Sequence, residues 1–262
     1  MKWKNIHCIR FAAMCCAWLT LTVSAEGGGW YCVRNSEHRQ PELGADLRWV
    51  EEYDGYALDR RHGDDCEDKV LYLTFDAGYE NGNVAKILDV LHEQEVCGAF
   101  FVLGNLITRE PALIRRMVEE GHTVCNHTYH HPDMTKMQSK DAFAAELAEL
   151  EEAYTALTGE PMAKYYRPPE GSFNRENLAW AKELGYKTIF WSFAYADWDN
   201  DKQPDPDAAA EKILANVHNG GVILLHPTSS TNAAILGRVI STLKQEGWRF
   251  GSLDELTAPD KA

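Results

Sequence analysis

The sequence predicts an α/β fold built on parallel strands, and two observations carry that prediction. From Lys69 onward, short apolar runs alternate strictly with segments of helical period, about seven strands with about six helices. Strict alternation implies parallel strands joined by crossover helices, arranged as an open doubly wound sheet or as a closed barrel. Length and composition agree: 262 residues, 45% hydrophobic and 25% charged, suit one large folded domain, with or without an extension.

The elements follow in order. Val70 to Phe75 reads as a strand, after which Val84, Ile87, Leu88 and Leu91 fall on one helical face. Val96 to Leu103 is the next strand; Leu113, Ile114, Met117 and Val118 mark a helix that Gly121 ends, and His122 to Cys125 form a short strand. Phe143, Leu147, Leu150, Tyr154 and Leu157 share a face of a long helix that Gly159 stops, and Ala163 to Tyr166 extend again. A helix near Asn174 to Glu183, a strand from Lys187 to Phe193, a helix near Asp207 to Val217 and a strand from Val222 to Leu225 come next. A helix carrying Leu236, Val239, Ile240 and Leu243 leads to a last strand at Trp248 to Gly251.

What precedes Lys69 differs in kind. Lys2, Lys4 and Arg10, the apolar run Phe11 to Val23 and the small residues Val23-Ser24-Ala25 form an export-signal pattern, with cleavage expected after Ala25. The run is shorter than the roughly 20 residues of a spanning helix, so no stable membrane insertion is expected once it is removed; an uncleaved N-terminal anchor, which would leave the same domain outside the membrane, is the alternative. Residues 26–68 are polar and weakly periodic and read as an extension packed on the 69–257 domain, with 258–262 as a tail. The net charge of −14, from 26 bases against 40 acids, becomes −17 when the three bases of residues 1–25 are removed, which argues against nucleic-acid binding. Cys32, Cys66, Cys97 and Cys125 match no zinc spacing and read as small core residues, Cys97 and Cys125 inside strands; a Cys32 to Cys66 bridge is the alternative for the extension. Nothing in the sequence reports oligomeric state.

Five strand ends carry polar residues: Thr74-Phe75-Asp76-Ala77-Gly78; Asn126-His127-Thr128-Tyr129-His130-His131; Arg167-Pro168-Pro169-Glu170-Gly171; Trp191-Ser192-Phe193 running to Asp197-Trp198; and His226 after Gly221 to Leu225. In a βα barrel, functional residues gather where several strands end. Each piece also has an ordinary reading: an Asp at a turn, a solvated His-rich loop, a rigid Arg-Pro-Pro turn, a satisfied core histidine. His127 and His131, four apart, have the spacing to face one ion.

In order and spacing these segments resemble the polysaccharide deacetylases of carbohydrate esterase family four, the group with nodulation-protein homology, over about residues 66–256. Tyr72 to Asp76 with Gly78 to Gly82, and Leu224-Leu225-His226 followed by Asn232-Ala233, are most similar to the spore-cortex muramic δ-lactam-forming de-N-acetylases. The resemblance implies a distorted (β/α)7 barrel and a secreted hydrolase acting on a cell-wall glycan, N-acetylmuramic acid of peptidoglycan first among candidates. Chitin or xylan deacetylation and catalytically silent glycan binding are the alternatives.

It further implies a divalent metal (zinc, manganese or cobalt) on His127 and His131 that polarises the acetamide carbonyl and acidifies water. Asp76 is then the general base, and His226, as imidazolium, protonates the departing amine. Arg167 keeps Asp76 ionised and Asp197 orients His226. A backbone N–H in the Pro169 to Gly171 turn shares oxyanion stabilisation, and Tyr129, Tyr166 and Trp198 are candidate sugar-facing walls.

The pattern departs from the family at Ala77 and Ala194, where many members carry carboxylates. With two imidazoles alone, metal binding is expected to be weaker than at a His-His-Asp site. Glu170 would repel the lactyl carboxylate of peptide-stripped muramic acid unless a base such as Lys164 or Arg175 compensates.

Overall fold

A segment such as Val70 to Phe75, apolar at nearly every position, has no face to offer water and belongs in the middle of a sheet covered on both sides. It does so in the computed structural model, which describes residues 27–33, 37–44 and 47–259; the expected signal segment lies outside them. In chain order the elements are β1 (Gly27–Gly29), β2 (Gly55–Tyr56), β3 (Lys69–Ala77), α1 (Val84–Glu93), β4 (Ala99–Val102), α2 (Gly104–Arg109), α3 (Pro111–Glu119) and β5 (Thr123–Asn126). There follow α4 (Lys140–Thr158), β6 (Tyr165–Tyr166), β7 (Ser172–Asn174), α5 (Arg175–Glu183), β8 (Lys187–Ile189), α6 (Pro206–Asn216), β9 (Gly221–Leu225), α7 (Ser230–Gln245), β10 (Trp248–Phe250) and α8 (Leu253–Leu256).

All seven strands expected after Lys69 are present and pair in parallel: β10, β3, β4, β5, β6 and β8 lie side by side, and β9 joins β3. The sheet curls until Phe193, just past β8, bridges Ile223 of β9. Ser192 N–H donates to the Val222 carbonyl (2.9 Å) and Leu224 N–H to that of Phe193 (2.9 Å). Closure through an irregular stretch rather than a full strand is what distorts the barrel.

The helices bury the faces their periodicity dictates. Val84, Ile87, Leu88 and Leu91 of α1 and Phe143, Leu147, Leu150 and Tyr154 of α4 are buried, and α4 ends at Gly159, whose φ of 79° is the left-handed conformation that glycine adopts without strain. At the start of α5, the Asn174 and Asn177 side chains each accept the other's backbone N–H, a capping box that ends β7 and begins the helix.

The extension contributes more to the core than its polar composition suggests. Trp30, Leu43, Leu47, Trp49 and Val50 cluster with Phe173, Leu178 and Phe190; Trp30 stacks on Phe190 with ring centroids 4.2 Å apart, and its indole N–H donates to the Trp191 carbonyl (2.7 Å). β1 pairs antiparallel with β7, and β2 adds a strand beside β8. The cysteines hold one correction. Cys125 is buried, but β4 begins only at Ala99, after a turn at Glu95 with φ 51°, so Cys97 is exposed before the strand rather than inside it. Cys32 and Cys66 are not bridged to each other.

Candidate active site

Parallel register assembles the site. Phe75 lies beside Leu225, so Asp76 and His226 leave neighbouring strands together; Asn126 lies beside Tyr166, so His127 and Arg167 do the same. Ala77 beside Val102 and Val102 beside Asn126 complete the rim. There a cavity of about 800 Å³ opens, lined by Asp76, His127, His131 and His226 among others.

Arg167 lies buried behind Asp76. Its side chain is fully buried: Nε donates to the Ile189 carbonyl (2.9 Å), Nη2 to Thr74 Oγ1 (2.8 Å), and Nη1 to Asp76 Oδ1 (2.8 Å), while the guanidinium lies 4.1 Å from the Phe101 ring centroid. Such a planar, always-charged fork, held on every side, makes a fixed counter-ion. Burial pushes the Asp76 carboxyl up, but Arg167 first, then His127 and His226, bring it below the usual carboxylate range, so it is ionised at neutral pH.

His127 Nδ1 lies 2.8 Å from the Arg167 carbonyl. A carbonyl only accepts, so Nδ1 carries the proton and Nε2 presents its lone pair, 3.6 Å from Asp76 Oδ2. Burial dominates this imidazole and pushes its pKa down to about 4 despite the attraction of Asp76. A neutral imidazole held through its far nitrogen by a carbonyl is the donor a divalent metal requires. The His131 ring stands 5.1 Å from that of His127, tilted by 72°. The two imidazoles therefore fit a metal, with Ala77 contributing no ligand. His130, between them in sequence, turns away, its Nδ1 facing Glu146 (3.2 Å) on α4.

The backbone that delivers these groups is strained. Of six non-glycine residues at positive φ among those described, Thr128 (73°), His131 (60°) and Glu170 (57°) lie in these loops. Each costs on the order of 1–3 kcal/mol and persists only where the surroundings hold it. Here the Asn126 side chain accepts Thr128 N–H (2.9 Å), and Thr128 Oγ1 accepts His131 N–H (3.0 Å).

On the neighbouring strand end, His226 Nδ1 lies 2.7 Å from Asp197 Oδ1, and His226 N–H donates to Asp197 Oδ2 (2.9 Å). Burial would lower this imidazole's pKa, but the Asp197 hydrogen bond and charge, with Asp76 behind them, raise it above the ordinary histidine value. The cavity thus places an ionised carboxylate and a histidine favouring its protonated form on neighbouring strand ends.

Of the expected substrate contacts, Gly171 and Trp198 line the cavity, and Trp198 is 60% exposed, a flat apolar face in water. Tyr129, Tyr166 and Pro169 are not among its walls. Tyr129 packs against the core and over Gly104, where a Cβ would come within 2.6 Å of its ring. Tyr166 is buried among Phe143, Leu147 and Tyr186, and Pro169 is buried behind the turn. Pro169 has no N–H and that of Gly171 donates to the Pro168 carbonyl (3.0 Å), which leaves Glu170 N–H as the turn's remaining backbone donor. The compensating bases are also elsewhere: Lys164 pairs with Glu151 and lies over the Tyr186 ring, and Arg175 lies over Trp49. Tyr79, Trp191 and Tyr195 also line the cavity, beyond the expected sugar-facing residues. Tyr79 follows the first strand end directly and was within reach of the strand-end argument.

A parallel α/β barrel with an aspartate, two histidines, an arginine and an Asp-His pair on one rim defines a class, and comparison with known families agrees with it. Residues 63–189 match the polysaccharide deacetylase family, to which this chain belongs. Among relatives, the peptidoglycan-N-acetylmuramic acid deacetylase PdaA of Bacillus subtilis is 37% identical over 265 residues, 98% of this chain and 96% of that one. An uncharacterised 30.6 kDa protein of Geobacillus stearothermophilus is 42% identical over 87% of this chain and 84% of its own. The solved structure of B. subtilis PdaA, a family 4 carbohydrate esterase, superposes with a TM-score of 0.82 at 39% identity over 88% of this chain and 97% of that one. Deacetylases of this family are in general metal-dependent. No helix of the described residues is long and apolar enough to cross a membrane.

Proposed function

We propose that the protein is an exported, metal-assisted N-deacetylase that removes the acetyl group from N-acetylmuramic acid of peptidoglycan, in the manner that prepares muramic δ-lactam in spore cortex. Export rests on the residue 1–25 pattern, with 26–68 as an extension of the 69–257 catalytic domain. The observation that carries the reaction is the neighbouring pair: Asp76 held ionised by Arg167, and His226 held toward its charged form by Asp197, on one cavity.

His127 and His131 would hold zinc, manganese or cobalt, which supplies Lewis acidity toward the acetamide carbonyl and lowers the pKa of water. Asp76 takes the proton of the attacking water as its oxygen bonds to the carbonyl carbon, and Glu170 N–H is the turn's candidate for stabilising the charge that builds on the carbonyl oxygen. His226 then protonates the nitrogen, the C–N bond breaks, and acetate and the free amine result; an unprotonated amine leaves far too poorly for the reaction to go forward. The walls of Trp198 and Tyr79 orient the sugar. Asn200 Nδ2 donates to the Tyr79 hydroxyl and steadies that lip.

Glu170 favours a second reading of the substrate. No Lys or Arg lines the cavity among the described residues, whereas Glu170 does, so a neutral chitin-type glycan meets less repulsion than a free lactyl carboxylate. Acetate release from peptide-stripped peptidoglycan, peptide-bearing peptidoglycan and chitin oligomers, each with chelator and with restored metal, tests both. Release from peptide-stripped glycan that chelator abolishes is expected; release from chitin alone selects the second reading, and release from none leaves a silent glycan binder.

A further inference from the structure

We propose that Asn232 is a positioning residue for the proton donor: it holds the Asp197 carboxylate in the orientation that grips His226, an inference resting on the reading that His226 protonates the departing amine. Asn232 lies in the first turn of α7, six residues beyond His226, and its side chain is buried. Its Nδ2 donates to Asp197 Oδ2 (2.6 Å) and to the His226 carbonyl (3.0 Å), and its Oδ1 accepts the Tyr195 hydroxyl proton. Two donors and an acceptor, each with a partner of the right kind, leave the amide one orientation.

The consequence falls on Asp197, which is 1% exposed. Its two oxygens receive His226 Nδ1–H, His226 N–H and Asn232 Nδ2–H, and among the described residues no Lys or Arg is recorded against it. With the His226 imidazole as its one partner able to carry positive charge among the described residues, this buried carboxylate relies on hydrogen bonds to offset its lost hydration. The Asp76 pair solves the same difficulty with Arg167, and the guanidinium's positive charge weakens the base it stabilises. Asn232 stabilises Asp197 without adding charge, so the full field of the carboxylate still acts on the imidazole.

The segment that carries Asp197 is tied to the same helix start. Gln203 Nε2 donates to the Asp197 carbonyl (2.9 Å), and Gln203 Oε1 accepts Ser229 Oγ–H and Thr231 N–H. Ser229 caps α7 by accepting Asn232 N–H (3.1 Å), which sets the turn from which the Asn232 amide projects. The groups acting on His226 are Asp197 and Asp76, which favour the imidazolium, and Arg167, which opposes it. His127, His131, Glu170, Tyr79 and Tyr195 share its cavity, and the Trp198 ring is 6.2 Å away.

The test uses the full chain as wild type, Asn232→Leu and Tyr195→Phe. Two quantities are followed: the pH profile of kcat/KM for acetate release, and the titration of the His226 ring protons by NMR, which needs no turnover. For folded Asn232→Leu, the His226 titration and the alkaline limb of the profile should both move about one pH unit toward acid, a loss of about tenfold in kcat/KM above the new midpoint. Tyr195→Phe, which removes only the hydroxyl that orients the amide, should move both in the same direction by less, and it carries the test if Asn232→Leu does not fold. An unchanged His226 titration in a folded variant, or a kcat that drops equally at every pH, overturns the proposal. A wild type that releases no acetate refutes the deacetylase reading instead, while the NMR titration still decides the role of Asn232.

Discussion

The two ends of the barrel use the same residue types to opposite effect. At the end where strands begin, buried Asp59 accepts Nε and Nη2 of Arg61 (2.8 Å each), the Tyr72 hydroxyl (2.6 Å) and His62 Nδ1 (2.9 Å). Beside it Arg249 clamps Asp68 (2.7 Å) and Glu255 (2.6 Å). At the end where strands finish, Asp76 Oδ1 is paired with Arg167, but Oδ2 meets only His127 Nε2, at 3.6 Å, and faces the cavity. Tyr72, Thr74 and Asp76 alternate onto one face of β3, so a single strand face runs from one cluster to the other. Aspartate, arginine and histidine together do not make a site. A carboxylate lone pair and an imidazole lone pair left unsaturated beside open volume do.

The largest effect expected from this contrast is at Asp76. Asp76→Asn keeps the shape and the Arg167 contact but removes the base, and acetate release should fall by about 10³-fold or more in a protein that remains folded. A steady-state assay beside a melting curve checks it. Activity within tenfold of wild type would show that the open lone pair is not what separates the two ends.

Asp197→Asn comes next. The proposed mechanism requires Asp76 ionised and His226 protonated, so activity should rise as pH climbs through the lowered pKa of Asp76 and fall as it climbs through the raised pKa of His226. Removing the Asp197 charge should bring the alkaline limb toward acid and cost about 10–100-fold at neutral pH, with the acid limb in place. A profile that moves at both limbs would assign the effect to general distortion.

At the saturated end the expected loss is of stability. Asp59→Ala leaves Arg61 and the Tyr72 hydroxyl without their buried acceptor, at a cost of about 3 kcal/mol. In a domain of this size that is a fall in Tm of roughly 10 °C with kcat intact. Burial raises the Asp59 pKa, but the Arg61, Tyr72 and His62 hydrogen bonds bring it below the ordinary 3.8. Its contribution is thus present above that value and lost as pH falls through the folded pKa, and the acid limb of a stability profile should flatten in the variant. A kcat that fell with Tm would erase the distinction between the ends.

How much of this was legible in the sequence depended on whether a residue's surroundings repeat. The strands after Lys69 and the buried faces of α1 and α4 were readable because period and burial coincide there, and because parallel register turns strand ends into one rim. Tyr129 and Tyr166 were misplaced for a reason internal to those segments. β6 is two residues long, too short for alternation to show which tyrosine faces which layer, and Tyr129 lies on a loop whose left-handed residues redirect it. Trp30, Leu43 and Trp49 were illegible as core because they sit just past a three-residue strand, in a loop and in a six-residue 3-10 helix, all too short to show a period, although large aromatic residues in a polar stretch were the available signal. Asn232 was visible only as part of a resemblance, since its role requires Asp197, distant in sequence, to be brought against it.

The smallest effect, and the one that sharpens the contrast within the cavity itself, belongs to Glu170. Asp76, His127, His131 and His226 are the groups to which the proposed reaction assigns roles; Glu170 is the further carboxylate on the wall, on a turn set by its own φ of 57° and by Gly171, where a Cβ would come within 2.6 Å of Trp191. In water a charge at about 4 Å is worth about 1 kcal/mol, roughly fivefold in rate. Glu170→Gln should therefore raise kcat/KM on peptide-stripped, carboxylate-bearing glycan by about fivefold and leave chitin oligomers unchanged. The gain should shrink at high ionic strength, because at 1 M salt the screening length falls to about 3 Å. Measuring the ratio of the two substrates at low and high salt separates a charge effect from a change in loop shape, which salt would not remove. A ratio that stays the same in the variant at every salt concentration would mean that the substrate's carboxylate lies out of reach of Glu170 and that the cavity does not select by charge.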